Sequence, residues 1–270
     1  MRVEIRDDLD LGRIGESGQC FRWEALAGGT WRIPHRGRRL YITAIQDGLY
    51  DLDCTRREFE SLWRDYFDLD TDYRSIRERI SREKDPFLWE AARAQRGIRI
   101  LRQDPWEALV SFIISQNRNI PAIRRSVELL CRAAGKTCTD RQGESFYAFP
   151  EPEAVLALTD ADLDACRLGY RAKYVRAAAQ AAAEGSLDLG MLSEAPAEEA
   201  MAALTGLYGV GIKVASCAVL FGLHRLDAFP VDVWMRRVLA AEYPNGYPKD
   251  AYSPYNGVYQ QYLFAYSRSR

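Results

Sequence analysis

Lys213 is the side chain whose setting most suggests covalent chemistry. It follows the turn Gly-Val-Gly at residues 209–211 and is predicted to lie in the first turn of a helix that begins near Ile212. The dipole at this end of a helix disfavours a positive charge, and so does partial burial, so the neutral amine is favoured. A neutral amine is the form that attacks a carbon atom. Lys213 is therefore a candidate nucleophile; the alternative is a lysine that only contacts phosphate.

Asp232 is the second candidate, nineteen residues further along in the segment FPVDVWMRRVLAA. Its position predicts the N-cap of another helix. The amides of a first helical turn hydrogen-bond a charged carboxylate and keep it ionised. Asp232 could still be a plain cap, but a lysine and a capping aspartate in this order are more specific than either alone.

The stretch LTGLYGVGIKVASCAVLFGL at residues 204–223 predicts two helices joined by a tight turn. Gly209 and Gly211 permit a positive φ and a close backbone approach. Free amides at the start of the second helix can bind a phosphate without a charged side chain. The pattern is that of a helix-hairpin-helix that grips the DNA backbone, although the turn alone fits a purely structural αα-hairpin equally well.

The elements that must position these residues follow from hydrophobic periodicity. Roughly the first fifty residues alternate apolar and polar positions, with turn signals at Gly28-Gly29 and Asp47-Gly48, and predict an antiparallel sheet. The period then becomes helical. We predict an α+β fold, with a sheet domain and flanking helices at 1–84.

The rest of the chain, residues 85–270, is predicted to be a larger all-helical domain. Asp104-Pro105 opens one of its helices, with the aspartate as N-cap and the proline at the first position. Two helical subdomains are expected, with the helix-hairpin-helix at about 201–223.

Composition narrows the class of protein. Hydrophobic residues make up 47% and charged residues 28%, which is typical of a globular enzyme and excludes a disordered chain. The N-terminal residues lack the pattern of a signal peptide, and the apolar run at 214–223 is too short to span a bilayer. We expect a cytoplasmic protein, without a membrane partner.

Charge gives an ambiguous indication of a nucleic-acid partner. The net charge is only −1, yet residues 91–141 carry ten basic and four acidic residues, about +6. Such a window could face phosphates. A solvated helical face of mixed charge also explains this window, and charge alone favours that interpretation.

Cysteine and histidine spacing argues against a metal. Cys131 and Cys138 are spaced like two ligands of an iron–sulfur cluster, but no further pair follows closely, and no CxxC occurs. His35 and His224 lack neighbours at ligand spacing. We predict no metal and no cofactor.

Longer segments carry a family resemblance. The hairpin lysine and Pro-Val-Asp resemble the helix-hairpin-helix (HhH-GPD) glycosylase superfamily, and further segments are similar to its 8-oxoguanine DNA glycosylase branch, in bacterial or archaeal form. These segments are SGQCFRW, GIRILRQDPWEALVSFIISQNRNI, LGYRAKY and GVYQQYLF, in the family's order over nearly the whole chain. The resemblance implies a monomeric base excision repair enzyme that acts on double-stranded DNA. Such an enzyme removes 8-oxoguanine and then cleaves the strand as a lyase.

The resemblance also implies roles for site residues. Lys213 would displace the damaged base and form a Schiff base with the sugar, while Asp232 would stabilise the developing positive charge and help to move protons. The base must first leave the duplex, because its sugar carbon is inaccessible in the stack. For the flipped base, four residues are implied: the Gly18 carbonyl for the proton on N7, Cys217 and Phe264 for its two faces, and Gln260 for its Watson–Crick edge.

A second group is implied to contact the DNA around the flipped base. Asn117 would fill the gap, Tyr170 would wedge beside it, and Arg171 would reach the orphaned cytosine. Further DNA contacts are implied for Asn119, Gly209, Gly211 and Trp234. Apart from the resemblance, Tyr170 and Phe264 could equally be core aromatics, and Gly18 a turn glycine.

Two positions depart from the family pattern. Ala122 stands where the vertebrate type has an arginine that helps to recognise the opposite cytosine, and Arg118 replaces the middle asparagine of its motif. Trp234 replaces a histidine that contacts phosphate. Loss of a bidentate donor at residue 122 should weaken discrimination of the opposite base.

Two rival functions belong to other classes. One is a glycosylase of the same superfamily that removes alkylated bases without a lyase step, which would not need Lys213. The other is a non-enzymatic DNA-binding module that uses the hairpin only to hold phosphates.

Overall fold

The N-terminal part of the chain is an antiparallel sheet, as predicted. The structure is a computed structural model that describes residues 1–269. Its strands are β1 (Arg2–Glu4), β2 (Glu24–Ala25), β3 (Thr30–His35), β4 (Arg38–Gln46) and β5 (Leu49–Leu52). They lie in the order β1-β5-β4-β3-β2, all antiparallel, so that only β1 pairs out of sequence order.

Glycine turns join these strands. Gly28, Gly29 and Gly48 have φ values of 72°, 75° and 72°, which confirms the two predicted turns. A third hairpin, at Arg36-Gly37 between β3 and β4, was not predicted; its residues have φ values of 44° and 70°. A two-residue turn with positive φ at both positions matches the twist of the strands that it joins.

Helices make up most of the remaining structure. Helix α1 (Leu11–Glu16) lies between β1 and β2. After β5 come α2 (Arg56–Glu58), a π-helical turn at Phe59–Trp63, α3 (Arg64–Tyr66), α4 (Tyr73–Glu78) and α5 (Pro86–Ala94). The following helices are α6 (Pro105–Ile114), α7 (Ile120–Ala134), α8 (Pro152–Leu156), α9 (Asp160–Ala165), α10 (Ala172–Ala183) and α11 (Leu189–Glu194). The last are α12 (Ala197–Thr205), α13 (Ile212–Phe221), α14 (Val233–Glu242), α15 (Lys249–Tyr252) and α16 (Asn256–Ser269).

Short elements interrupt this helical part. Strands β6 (Thr137–Thr139) and β7 (Ser145–Tyr147) form a small hairpin, and a 3-10 turn at Gly169–Arg171 precedes α10. A second 3-10 turn, Ala27–Gly29, lies between β2 and β3 of the sheet. The α+β class is confirmed, with this hairpin added to a region that was predicted to be entirely helical.

Helix α6 begins where the sequence predicts. Asp104 Oδ1 accepts hydrogen bonds from the amides of Trp106 (3.0 Å) and Glu107 (3.1 Å), and Pro105 occupies the first helical position. After Pro105, all residues of α6 except Glu107 are buried. Because α6 packs directly against α13, its start determines what lies beside Lys213.

The buried apolar side chains form two clusters. The smaller cluster fills the space under the sheet, and the larger one holds the helical part together. Tyr73, Ile76 and Ile80 belong to the larger cluster although they precede residue 85. The domain boundary at residues 84 and 85 stays a prediction.

Arg99 is completely buried where the two parts meet. Its guanidinium forms an ion pair with Asp7 and stacks on the Tyr73 ring at 4.5 Å. It also donates to the carbonyl oxygens of Asp8 (2.6 Å), Phe67 (3.1 Å), Asp68 (2.6 Å) and Thr71 (3.3 Å). A buried cation is stable only when its donors are satisfied, so these contacts fix the N-terminal segment and the turn at 67–71.

Half of the basic residues in the window at 91–141 form ion pairs in the folded chain. Five of its ten basic residues form ion pairs: Arg96 with Asp8, Arg99 with Asp7, Arg102 with Asp68, Arg132 with Glu128 and Arg141 with Asp53. The window is therefore not one continuous phosphate-facing patch, which agrees with the simpler of the two interpretations.

Two findings concern membranes and thiols. Within residues 1–269, no helix has both the length and the apolar character that crossing a membrane requires. The six cysteines are free, and five of them, including Cys131, are buried. The absence of a catalytic metal stays a prediction.

Candidate active site

The predicted helix-hairpin-helix is formed by α12 and α13. Gly209 has φ 82°, and a Cβ added there would lie 2.1 Å from Cδ1 of Tyr174, so only glycine fits. Gly211 is exposed, has φ −90° and open space around it, and is the N-cap of α13 without any side-chain cap. The first amides of α13 therefore have no side-chain cap and can donate hydrogen bonds to a phosphate.

Lys213 lies in the first turn of α13, as predicted, and is partly buried. Its Nζ is 3.5 Å from Oγ of Ser115 and 5.3 Å from the centre of the Phe112 ring, both on or at the end of α6. These neighbours are a hydroxyl and an aromatic face. Neither of these two neighbours is an acid, so neither forms an ion pair with the amine.

Asp232 is the N-cap of α14, as predicted, with its Oδ1 accepting a hydrogen bond from the Met235 amide at 2.8 Å. Cys217 lies one turn after Lys213 on α13 and is 3% exposed. Burial raises the pKa of the Cys217 thiol, the neighbouring Lys213 lowers it, and the Asp232 carboxylate raises it. Lys213 and Cys217 thus share one face of α13, and the charges of Lys213 and Asp232 both act on the Cys217 thiol.

A second group of predicted residues meets at the C-terminal helix. Gly18 has φ 80°, and a Cβ added there would lie 3.5 Å from Cε1 of Phe264. Gln260 lies one turn before Phe264 on α16, is 3% exposed, and donates to the Pro230 carbonyl oxygen at 3.1 Å. Pro230 stands two residues before Asp232, so α16 connects the Gly18 side of the site to the segment that carries Asp232.

The predicted gap-filling residues lie on the loop after α6 and on the turn before α10. Asn117 is exposed in a left-handed conformation with φ 51°, and Tyr170 is 49% exposed. Arg171, in contrast, is only 5% exposed. Its guanidinium donates to the carbonyl oxygens of Gln116 (2.8 Å) and Asn117 (3.3 Å), so it binds the loop from beneath rather than extending outward.

Arg118 is a structural residue that sequence reasoning noted only as a departure from the family pattern. It donates to Oγ of Ser126 at 2.6 Å and to the carbonyl oxygen of Arg167. Burial lowers the pKa of Arg118, and the nearby charge of Arg171 adds to that effect. Arg118 thus ties the loop to the turn before α10, a role that only the tertiary structure reveals.

The hairpin is tied to the same loop. Gln116 Nε2 donates to the Gly209 carbonyl oxygen at 3.2 Å. The Asn119 side chain caps α7 by accepting from the Ala122 amide at 3.0 Å. Two parts of the predicted DNA-contacting surface are therefore held in fixed relation to each other.

Exposed apolar side chains surround the hairpin and the start of α14. Trp234 is 44% exposed, with Arg237 stacked 5.3 Å from the centre of its ring. Tyr208, Ile212 and Val233 are 59%, 74% and 51% exposed, and sequence reasoning did not select them. Their signal was an apolar residue flanking a glycine turn or a cap. Exposed apolar groups beside free amides are typical of a surface that contacts another molecule.

Comparison with protein families defines the class. Residues 2–109 match the 8-oxoguanine DNA glycosylase N-terminal domain, and residues 110–246 match the HhH-GPD superfamily of base excision DNA repair proteins. The chain therefore belongs to the HhH-GPD superfamily, with the N-terminal domain of its 8-oxoguanine glycosylase branch.

Individual relatives agree with this assignment. The N-glycosylase/DNA lyase of Saccharomyces cerevisiae is 30% identical, over 88% of this chain and 69% of that protein. The structure of MBOgg1 with a low affinity DNA ligand superposes with a TM-score of 0.92, 37% identity, and coverage of 99% of this chain and 95% of that one. The structure of the Clostridium acetobutylicum 8-oxoguanine glycosylase/lyase, bound to dsDNA with cytosine opposite 8-oxoG, superposes with a TM-score of 0.89 and 32% identity. The match covers 100% of this chain and 98% of that one.

The two hairpin glycines provide a matched pair of variants. Gly209→Ala should lower the free energy of unfolding by about 2 kcal/mol or more, because the methyl group meets Tyr174 and the backbone is strained at positive φ. Gly211→Ala meets no atom within 4 Å and should cost less than about 1 kcal/mol. Denaturant unfolding of both variants measures the difference; equal losses would mean that the turn does not rest on Tyr174.

Proposed function

We propose that this chain is a bifunctional DNA glycosylase/AP lyase that excises 8-oxoguanine from duplex DNA and cleaves the strand through a Schiff base on Lys213. The observation that carries the proposal is the position of Lys213 in the first turn of α13, directly after the hairpin turn, with its Nζ against Phe112 of α6 and Ser115 at the end of that helix. The relationship to N-glycosylase/DNA lyases supports it. We expect the enzyme to act as a monomer wherever the chromosome lies, which is the cytoplasm in a prokaryote.

The proposed chemistry uses Lys213 twice. The neutral amine attacks C1′ of the damaged nucleotide, the C1′–N9 bond breaks, and the base leaves with the electron pair. The amine then loses a proton, the sugar ring opens as O4′ accepts one, and a Schiff base forms between Nζ and C1′. Removal of a proton from C2′ expels the 3′ phosphate, which breaks the strand.

Asp232 is proposed to act electrostatically. Positive charge develops on the sugar as the base departs, and a fixed carboxylate nearby stabilises that charge. The hydrogen bond from the Met235 amide holds the carboxylate in place. A preorganised charge of this kind does not have to reorient during the reaction.

Recognition of the base is proposed to depend on Gly18. In 8-oxoguanine N7 carries a hydrogen, whereas in guanine it carries a lone pair. A backbone carbonyl oxygen accepts a hydrogen bond from N7–H of 8-oxoguanine. Beside guanine the same oxygen has no donor and is repelled by the N7 lone pair. Cys217 and Phe264 would contact the two faces of the base, and the second amide hydrogen of Gln260 would bind its edge.

Lys213→Gln should abolish both base release and covalent trapping, since no other residue is proposed to form the Schiff base. Affinity for damaged duplex should stay within a few fold, because the hairpin amides remain. Borohydride trapping and single-turnover excision measure these effects, with the exposed lysine variant Lys84→Gln as an active control.

The trapping experiment also separates the rival functions. An enzyme for alkylated bases without a lyase step, or a binding module, gives no covalent complex with wild-type protein. Base release by folded Lys213→Gln would contradict the covalent mechanism.

Asp232→Asn separates catalysis from capping. Asparagine is as good an N-cap as aspartate, so the melting temperature should hardly change. The excision rate should fall by orders of magnitude, about 10²-fold or more, because the stabilising charge is gone. Normal turnover in Asp232→Asn would leave Asp232 as no more than a helix cap.

Opposite-base selectivity should be modest. A bidentate arginine–base contact provides about 1–3 kcal/mol of discrimination, roughly ten- to a hundredfold, and Ala122 cannot make one. We therefore expect excision of 8-oxoguanine opposite all four bases, with cytosine only slightly favoured. Ala122→Arg should sharpen the cytosine preference. Arg171→Ala should flatten it, because Arg171 holds the backbone of the loop that carries Asn117.

The measurement is single-turnover excision from four duplexes that differ only in the opposite base, at one salt concentration. Because Arg171 also holds the Gln116 and Asn117 carbonyls, the melting temperature of Arg171→Ala is recorded in parallel. A strong wild-type preference for cytosine that neither substitution alters would assign recognition to other residues.

A further inference from the structure

Gln19 follows Gly18 directly and is 1% exposed although it is polar. Its Nε2 donates to the Arg99 carbonyl oxygen at 2.8 Å and to Oγ of Ser17 at 3.0 Å, and its Oε1 accepts from the Leu101 amide at 2.9 Å. Both amide hydrogens are thus used. The side chain binds the 99–101 backbone much as a neighbouring strand would.

The backbone of Gln19 is held as well. Its carbonyl oxygen accepts a hydrogen bond from Nε2 of Gln103 at 2.8 Å. The contact residue Arg99 is itself immobilised by its buried guanidinium, which binds four carbonyl oxygens and a carboxylate. Gln19 is therefore attached to one of the most constrained points of the chain.

This attachment matters because of the peptide bond that Gln19 shares with Gly18. The carbonyl of Gly18 and the amide of Gln19 lie in one rigid plane. Gly18 has φ 80° and no side chain, so by itself it would allow that plane to rotate. The energy of a hydrogen bond falls steeply as its angle departs from linearity, so a rotating carbonyl would lose its selectivity.

We propose that Gln19 is a positioning residue for base discrimination: through its bonds to Arg99 and Leu101 it fixes the direction of the Gly18 carbonyl and so sets the preference for 8-oxoguanine over guanine. Gln19 does not touch the base. The inference rests on the proposed function, in which the Gly18 carbonyl reads N7. A purely structural role would instead lower stability and affect every step of the reaction alike.

The test measures binding and lyase chemistry separately. In the Lys213→Gln background, which lacks the nucleophile, Gln19→Met should reduce the affinity ratio between 8-oxoguanine and guanine duplexes by about tenfold, as expected for a misdirected hydrogen bond. With Lys213 present, lyase activity of Gln19→Met on an abasic duplex should stay within about twofold, because that substrate has no base to read.

Tyr50→Phe is the matched control. It removes one buried hydrogen bond, to the Leu9 carbonyl oxygen at 2.6 Å, in the same N-terminal part of the chain. Tyr50→Phe should lower the melting temperature without changing the affinity ratio. An unchanged ratio in Gln19→Met, or a parallel fall in its abasic lyase activity, would overturn the proposal.

Gln19→Glu keeps the test decisive if Gln19→Met does not fold. A carboxylate can accept from Leu101 but opposes the Arg99 carbonyl, whereas a protonated carboxyl can donate to that carbonyl as glutamine does. The affinity ratio of Gln19→Glu should therefore recover as the pH is lowered through the titration of the new side chain; a ratio independent of pH would contradict the proposal. If wild-type protein shows no trapping on 8-oxoguanine duplex, the proposed function itself fails.

Discussion

A fully buried guanidinium must find an acceptor for nearly every N–H that it carries, and Arg99 imposes this constraint on the chain. It is satisfied by carbonyls and a carboxylate from the first ten residues and from the turn at 67–71. Residue 99 also begins the short segment that leads into α6. The contacts that neutralise one charge therefore set the position of the N-terminal loop, with Gly18 and Gln19, relative to the helices that carry the chemistry.

The helical part uses one helix for two purposes. The free amides at the start of α13 face outward for a phosphate, while Lys213 and Cys217, four residues apart, share the face that turns toward α6. Helix α14 positions Asp232 in a similar way, with the Met235 amide of its first turn donating to the carboxylate. Two helix N-termini thus supply the proposed anion-binding surface and the proposed catalytic carboxylate.

The surface proposed to contact DNA depends little on net charge. Half of the arginines and lysines in the basic window are used in ion pairs within the fold, and Arg118 and Arg171 bind backbone carbonyls of the loop beside the site. The groups proposed to contact DNA include the hairpin amides, Asn117 and exposed apolar side chains such as Tyr170 and Tyr208. Backbone amides bind phosphate through geometry, which is compatible with a chain whose net charge is −1.

Local patterns in the sequence were enough to determine the antiparallel sheet, the caps at Asp104 and Asp232, the hairpin and the place of Lys213, because each depends on residues within about one helical turn or one strand pair. The family resemblance supplied Gly18, Gln260 and Phe264 as candidates, which periodicity could not have selected. Only the tertiary structure decided that Arg99 and Gln19 hold the Gly18 loop, that Arg171 lies under its loop, and that half of the basic window is used in ion pairs. Those outcomes depend on partners about 30 to 90 residues away in the chain, and which distant groups a buried charge meets is decided by packing rather than by any local pattern.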